Sequence, residues 1–339
     1  MSRLNKIHLL LMKMTASRYF KPFVFGTLLC IVVALFSVDA FSQKTAVREA
    51  FKLAEKDLIT EGIAYDPEEK SFYVGSIHKQ KIVKVDARGK ASDFAVSLGE
   101  ILGMKVDPTG RKLWVCANSP AYDTTEFVSR VYVFSLRDGG IEKKYELRGK
   151  KKHLFNDIVI TSDGVAYVTD SDGGAVYVIG DSADALEEFI KPGELRYPNG
   201  ITLTPDESRL LVSIAGRSGL VTIDRKTGKV ETLAHEKFLL IGIDGLYRHG
   251  KKLIAVQNVT FPEAVLELTC DEEYTRVVEV RAIVSNHPAL DLPTTGVVVG
   301  NDFYFIANSQ ILQIRGMAGG IQYPEELKET IILKVPLTR

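Results

Sequence analysis

Residues 199–214 read NGITLTPDESRLLVSI: an apolar run that opens on Asn199-Gly200, a tight turn made by Pro205, Asp206, Glu207 and Ser208, and a second run rich in aliphatic and β-branched side chains. These are the turn residues a short hairpin needs, and the flanking runs have strand character. The same unit recurs on both sides. Upstream stand EGIAYDPEEKSFYVGS from Glu61, GMKVDPTGRKLWVCAN from Gly103 and NDIVITSDGVAYVTDS from Asn156. Downstream stand DGLYRHGKKLIAVQN from Asp244 and TGVVVGNDFYFIANS from Thr295.

The starts fall roughly 40–50 residues apart, the period of blades of about four strands each. Third strands are expected at KIVKVD, RVYVFSL, AVYVIG, GLVTID, AVLEL and ILQIR. Helix-period segments are nearly absent, which argues against a doubly wound or barrel α/β fold. The expectation is an all-β, six-bladed β-propeller over residues 58–339, with four-stranded blades around a central, metal-containing channel. A lead-in segment covers residues 41–57. Either residues 45–57 or the final IILKVPL closes the ring.

The chain has 339 residues, 45% hydrophobic and 25% charged, enough to bury a substantial core. Forty-three basic residues balance forty-three acidic ones, leaving no net field to attract nucleic acid or an anionic membrane. A small-molecule partner fits that balance better. In residues 1–40, Lys13, Arg18 and Lys21 precede an uncharged run from Phe23 to Val38, and Val38 and Ala40 suit a signal-peptidase site. A signal peptide is expected, hence a periplasmic or secreted protein with no membrane contact after cleavage. The run is shorter than the roughly 20 residues of a spanning helix, which disfavours a retained anchor. Cys116 and Cys270, too few and too far apart for a disulfide framework, are expected as free thiols.

Four repeats open with an oxygen-bearing side chain, then Gly or Asp, then an aliphatic residue: Glu61-Gly62-Ile63, Asn156-Asp157-Ile158, Asn199-Gly200-Ile201 and Asp244-Gly245-Leu246. Singly, such pairs are ordinary turn dipeptides. Here the hairpin turn comes about six residues later with its own turn residues, and Glu61 is no turn residue. First strands of propeller blades line the channel, so these four side chains should meet at one mouth. Two carboxylates and two amide oxygens form a hard ligand set that fits calcium best and leaves manganese, magnesium or zinc open.

With the NDI, PNGI and DGL segments on this register, residues 58–337 resemble the gluconolactonase and regucalcin (senescence marker protein) family, and more distantly the paraoxonases and diisopropylfluorophosphatase. The resemblance implies a six-bladed propeller with a catalytic calcium that hydrolyses lactones or phosphotriesters. It assigns the channel glutamate to Glu61, the asparagines to Asn156 and Asn199, and the metal-bound aspartate to Asp244. Regucalcin-like lactonases carry an arginine two residues before the first asparagine, where this chain has Leu154, so a sugar lactone is not the expected substrate.

The expected function is therefore calcium-dependent hydrolysis of a lactone, ester or phosphoester. Asp244 is the candidate base or nucleophile. Asp157 is a second base or an orienting group for Asn156, and His287 a proton shuttle or a loop-structuring residue. His153 and Asn156, with Phe261 and Tyr122 from loops on the metal face, are candidate substrate contacts. The bland alternatives are a solvated His153 beside Lys151 and Lys152, and loop aromatics that merely pack. Two other functions compete: a non-enzymatic binding propeller with a structural metal, and a strictosidine-synthase-like enzyme, which would not need the metal. No nucleophile elbow, phosphate loop, dinucleotide fingerprint or HExxH pattern occurs.

Overall fold

Each hairpin read from the sequence pairs antiparallel. The computed structural model describes residues 47–338, apart from 108–110, 121–125, 216–218 and 316–319. Blade 1 comprises Thr60–Asp66, Ser71–Ser76, Ile82–Val85 and Ala91–Ala95; blade 2 comprises Glu100–Val106, Lys112–Asn118, Phe127–Ser135 and Ile141–Gly149. Blade 3 runs through Phe155–Ile160, Ala166–Asp170, Ala175–Ile179 and Glu187–Ile190, and blade 4 through Pro198–Leu203, Arg209–Ile214, Leu220–Asp224 and Val230–Leu233. Blade 5 holds Ile243–His249, Lys252–Gln257, Ala264–Cys270 and Val277–Ser285.

Blade 6 settles the ring closure, and both candidate segments take part. Gly296–Val299 and Asp302–Ile306 are followed by Thr330–Pro336 as third strand, and Arg48–Leu53 adds the outermost strand from the other end of the chain. The expectation that ILQIR is the third strand is therefore corrected. Ile311–Gln313 is a 3₁₀ turn approached through Gln310 at φ 61°, and Leu312 is 77% exposed. In the true strand Thr330, Ile332, Leu333 and Val335 are buried, an arrangement the pleat can satisfy against a core.

Six apolar clusters lie one between each pair of neighbouring blades. One, for example, joins Trp114, Cys116 and Val131 of blade 2 to Phe155, Ile158 and Val168 of blade 3. The last joins Leu53 and Ile332 of blade 6 to Ile63 and Val74 of blade 1, so the interface that closes the ring is as apolar as the others. Cys116 and Cys270 are free thiols, as expected. The first strands neighbour one another in turn around the ring and enclose the channel.

Candidate functional site

The first strand of each of blades 1 to 5 carries the same irregularity at its start. Register against the second strand slips between Thr60 and Ile63, Ile101 and Met104, Phe155 and Ile158, Pro198 and Ile201, and Ile243 and Leu246. Each slip is a β-bulge, which leaves an extra residue unpaired and re-aims its side chain. The bulges hold Glu61-Gly62, Leu102-Gly103, Asn156-Asp157, Asn199-Gly200 and Asp244-Gly245, so four of the five carry a candidate ligand.

The glycines let the bulges nest. A Cβ on Gly62 would lie 1.9 Å from the Leu102 carbonyl oxygen, one on Gly103 2.5 Å from that of Asn156, and one on Gly200 2.3 Å from that of Asp244. No side chain fits in those gaps. In blade 3 Asp157 stands in the glycine position, with Oδ1 accepting from Ile158 N at 2.9 Å and Oδ2 from Ile201 N of blade 4 at 3.2 Å.

The four candidate ligands are buried: Glu61 is 4% exposed, Asn156 5%, Asn199 8% and Asp244 9%. Asn156 Nδ2 donates to Ser171 Oγ at 3.0 Å, and Ser171 Oγ donates to the Pro198 carbonyl at 2.6 Å, which fixes the amide and frees its oxygen. That oxygen, Asn156 Oδ1, has no hydrogen-bond partner, and neither has Glu61 Oε2. Two buried acceptors without donors in the protein can be satisfied by a bound donor or cation. Burial pushes the Glu61 carboxyl well above its ordinary range, with Asp244 and Asp157 repelling its charge and Lys105 opposing that rise. Burial also pushes Asp244 up to about 6; hydrogen bonds from Asn199 and Asn258 resist this, while the charge of Asp157 adds to it. Asn258 Nδ2 donates to Asp244 Oδ2 at 2.7 Å.

His153 is not solvated: its Nδ1 lies 2.5 Å from Oδ2 of the fully buried Asp170, whose Oδ1 accepts from Leu154 N and Gly173 N. His287 Nδ1 accepts from Ala289 N at 3.2 Å in its own loop, leaving Nε2 as the nitrogen open to chemistry. Phe261 is 95% exposed. Tyr122 lies outside the described residues.

Sequence reasoning missed several neighbours. Tyr197, two residues before Asn199, sits at φ 56°; although 40% of it is exposed, its phenol is pushed up to about 12 by partial burial and by the nearby Asp172, Asp244 and Glu61. Ile59 and Gly242, two residues before Glu61 and Asp244, share that left-handed backbone, so the conformation belongs to the entry into the bulged strands. The TyrProAsn run was the only signal. Leu239 and Val259, 70% and 62% exposed, lie in the two loops that Gln257 and Asn258 join near Asp244. Gln257 Nε2 donates to the carbonyls of Leu239 and Ile241, and Asn258 N donates to that of Gly242, which ties both loops to the strand ends that carry Asp244 and Asn258.

Among the described residues no three His, Cys, Asp or Glu side chains come together as a metal-holding cluster. An ion at this mouth would depend on the two amide oxygens as well as the carboxylates. The unpartnered Glu61 Oε2 and Asn156 Oδ1 fit that requirement.

A six-bladed propeller with nested bulges that present buried oxygens at one mouth is the class defined by this fold and site. Residues 59–242 match the SMP-30/Gluconolactonase/LRE-like region, and the chain belongs to that family. No curated protein matches it. Among solved structures it is similar to a gluconolactonase from Xanthomonas campestris (14% identity, TM-score 0.57, covering 85% of this chain and 89% of that one). It is similar also to a calcium-binding protein, regucalcin, from Agrobacterium tumefaciens (16%, 0.58, 86% and 98%). Virginiamycin B lyase from Staphylococcus aureus matches equally well (16%, 0.58, 86% and 99%). At such identities the likeness establishes the fold alone.

Proposed function

We propose that this protein is a calcium-dependent hydrolase of lactones, esters or phosphoesters with apolar substituents, its ion held by Glu61, Asn156, Asn199 and Asp244. The observation that carries the reading is the pair of buried, unpartnered oxygens, Glu61 Oε2 and Asn156 Oδ1, on bulges of the same register. Calcium bound there would polarise the carbonyl or phosphoryl oxygen of the substrate and stabilise the charge that develops on it.

The protein's own groups divide the rest of the work. Asp244, the most exposed of the four ligands, either takes the proton of the attacking water or attacks the reacting centre itself. Asn258 holds one of its oxygens in place. Leu239 and Val259 leave apolar side chains open in the loops near Asp244, and Leu154 provides no cation to grip sugar hydroxyls. Family membership and the gluconolactonase and regucalcin likenesses support a lactonase-type chemistry. Residues 1–40 carry the export signal, so N-terminal sequencing of the mature protein should start near Phe41, and Met1 on a membrane-bound product would count against export.

The test is a panel of aliphatic lactones, sugar lactones, aryl esters and phosphotriesters, assayed with calcium and then with chelator. Aliphatic and aryl substrates should outrank sugar lactones. If a well-folded, calcium-loaded protein turns over none of them in a calcium-dependent way, a binding platform takes the place of the hydrolase.

A further inference from the structure

Lys105 stands on the first strand of blade 2, just past the bulge at Leu102-Gly103. Its Nζ lies 3.7 Å from Asp157 Oδ1 of blade 3 and 4.4 Å from the centre of the Tyr247 ring of blade 5. The ammonium thus bridges the channel, with only 22% of the side chain exposed. At 3.7 Å its link to Asp157 is one of charge more than of hydrogen bonding, since the Asp157 oxygens already accept from Ile158 N and Ile201 N. Tyr247 is fixed in turn, its hydroxyl oxygen accepting from Gly296 N of blade 6 at 2.7 Å. A cation over an aromatic face and beside a buried carboxylate is held in two ways at once.

Three carboxylates, Glu61, Asp157 and Asp244, act on one another here, and Lys105 opposes their repulsion at Glu61. With an ion bound and both ligand carboxylates ionised, three negative charges and one positive leave two negative, the charge of one divalent cation. We propose that Lys105 is a tethered cation of the channel: it offsets Asp157 and leaves the charges of Glu61 and Asp244 for the bound ion. The assignment rests on the metal site proposed above and extends it to a residue that touches neither ligand nor substrate. Lys105 is a positioning residue for charge.

Calcium titration by calorimetry and melting in chelator test this on wild type, Lys105→Met, Lys105→Arg, Asp157→Asn and the double variant Lys105→Met/Asp157→Asn. Lys105→Met should melt lower in chelator, because it leaves the buried Asp157 without its cation. The same variant should bind calcium on the order of tenfold more tightly, since a like charge has left the channel. Asp157→Asn should bind on the order of tenfold more weakly. The double variant, which removes both charges, should return near wild type in both measurements, and Lys105→Arg should track wild type. A Lys105→Met protein with unchanged melting and affinity overturns the proposal, as does one that binds calcium more weakly. Should Lys105→Met fail to fold, the double variant decides: binding near wild type supports the offset, and strong loss overturns it. Wild type that binds no calcium defeats the metal reading instead, while melting in chelator still tests the offset.

Discussion

At the scale of single residues, the question is whether Asp244 does more than hold an ion. Asp244→Asn keeps an oxygen of similar size and position while it removes the carboxylate's basicity and nucleophilicity. The variant should keep calcium, more weakly, and lose on the order of 10²-fold in kcat on the best substrate of the panel. Calorimetry beside steady-state kinetics separates the two effects, and a rate that falls only in step with calcium occupancy would leave Asp244 as a ligand alone. The four ligand candidates were legible because they share one register in four repeats. Lys105, Asn258, Ser171 and Tyr197 were not. Lys105 acts across blades, while Asn258 reaches back to Asp244 from the end of the next strand and Ser171 fixes Asn156 from the end of its partner strand; such contacts leave no mark on local spacing. The sequence suggested a solvated His153 because Lys151 and Lys152 precede it, yet Asp170, buried seventeen positions on, holds its ring.

At the scale of strands, the dipeptides that resemble turns prove to be bulges, and this changes the role of their glycines. Gly200 permits the blade 4 bulge to seat on the Asp244 carbonyl, so Gly200→Ala forces backbone against backbone. The cost should be about 1–3 kcal/mol, read as a lower melting temperature, together with weaker calcium binding, because Asp244 moves with its carbonyl. An alanine variant with wild-type melting would mean that the bulges are not nested as described. The outer strands carry polar chemistry instead. Although burial raises it, Glu146 is lowered overall to about 2 by hydrogen bonds from Arg130, Arg148 and Lys144. A lowered folded-state value means that this contribution is complete above the ordinary glutamate range and fades as pH falls toward 2. The melting difference between wild type and Glu146→Gln should therefore be largest near pH 7 and shrink by pH 3. A difference that grew on acidification would refute the assignment. Strand identity was legible wherever alternation and turn residues agreed. It failed at ILQIR, where three apolar residues in five mimic a strand but Leu312 faces solvent in a 3₁₀ turn.

At the scale of the whole molecule, ring closure ties the site to global stability. Arg48–Leu53 pairs with Thr330–Pro336, and Leu53, Ile63, Val74 and Ile332 share the core of that last interface. Neither closing segment could be chosen from sequence, since each is one strand without a hairpin partner next to it. The candidate ligands come from blades 1, 3, 4 and 5, so one ion at the mouth would join four blades. An ion that binds the closed ring and not the unfolded chain stabilises by mass action, about 2.7 kcal/mol at a concentration one hundred times its dissociation constant. Chelation should lower the melting temperature by several degrees, and added calcium should restore it with a concentration dependence that yields the same affinity as calorimetry. Glu61→Gln, which deletes one of two ligand charges and nearly keeps shape, should shrink that calcium-dependent shift without abolishing the fold. Wild type with the same melting curve in chelator and in millimolar calcium would leave Glu61 Oε2 and Asn156 Oδ1 to another partner, and the hydrolase reading would lose the ion on which its chemistry depends.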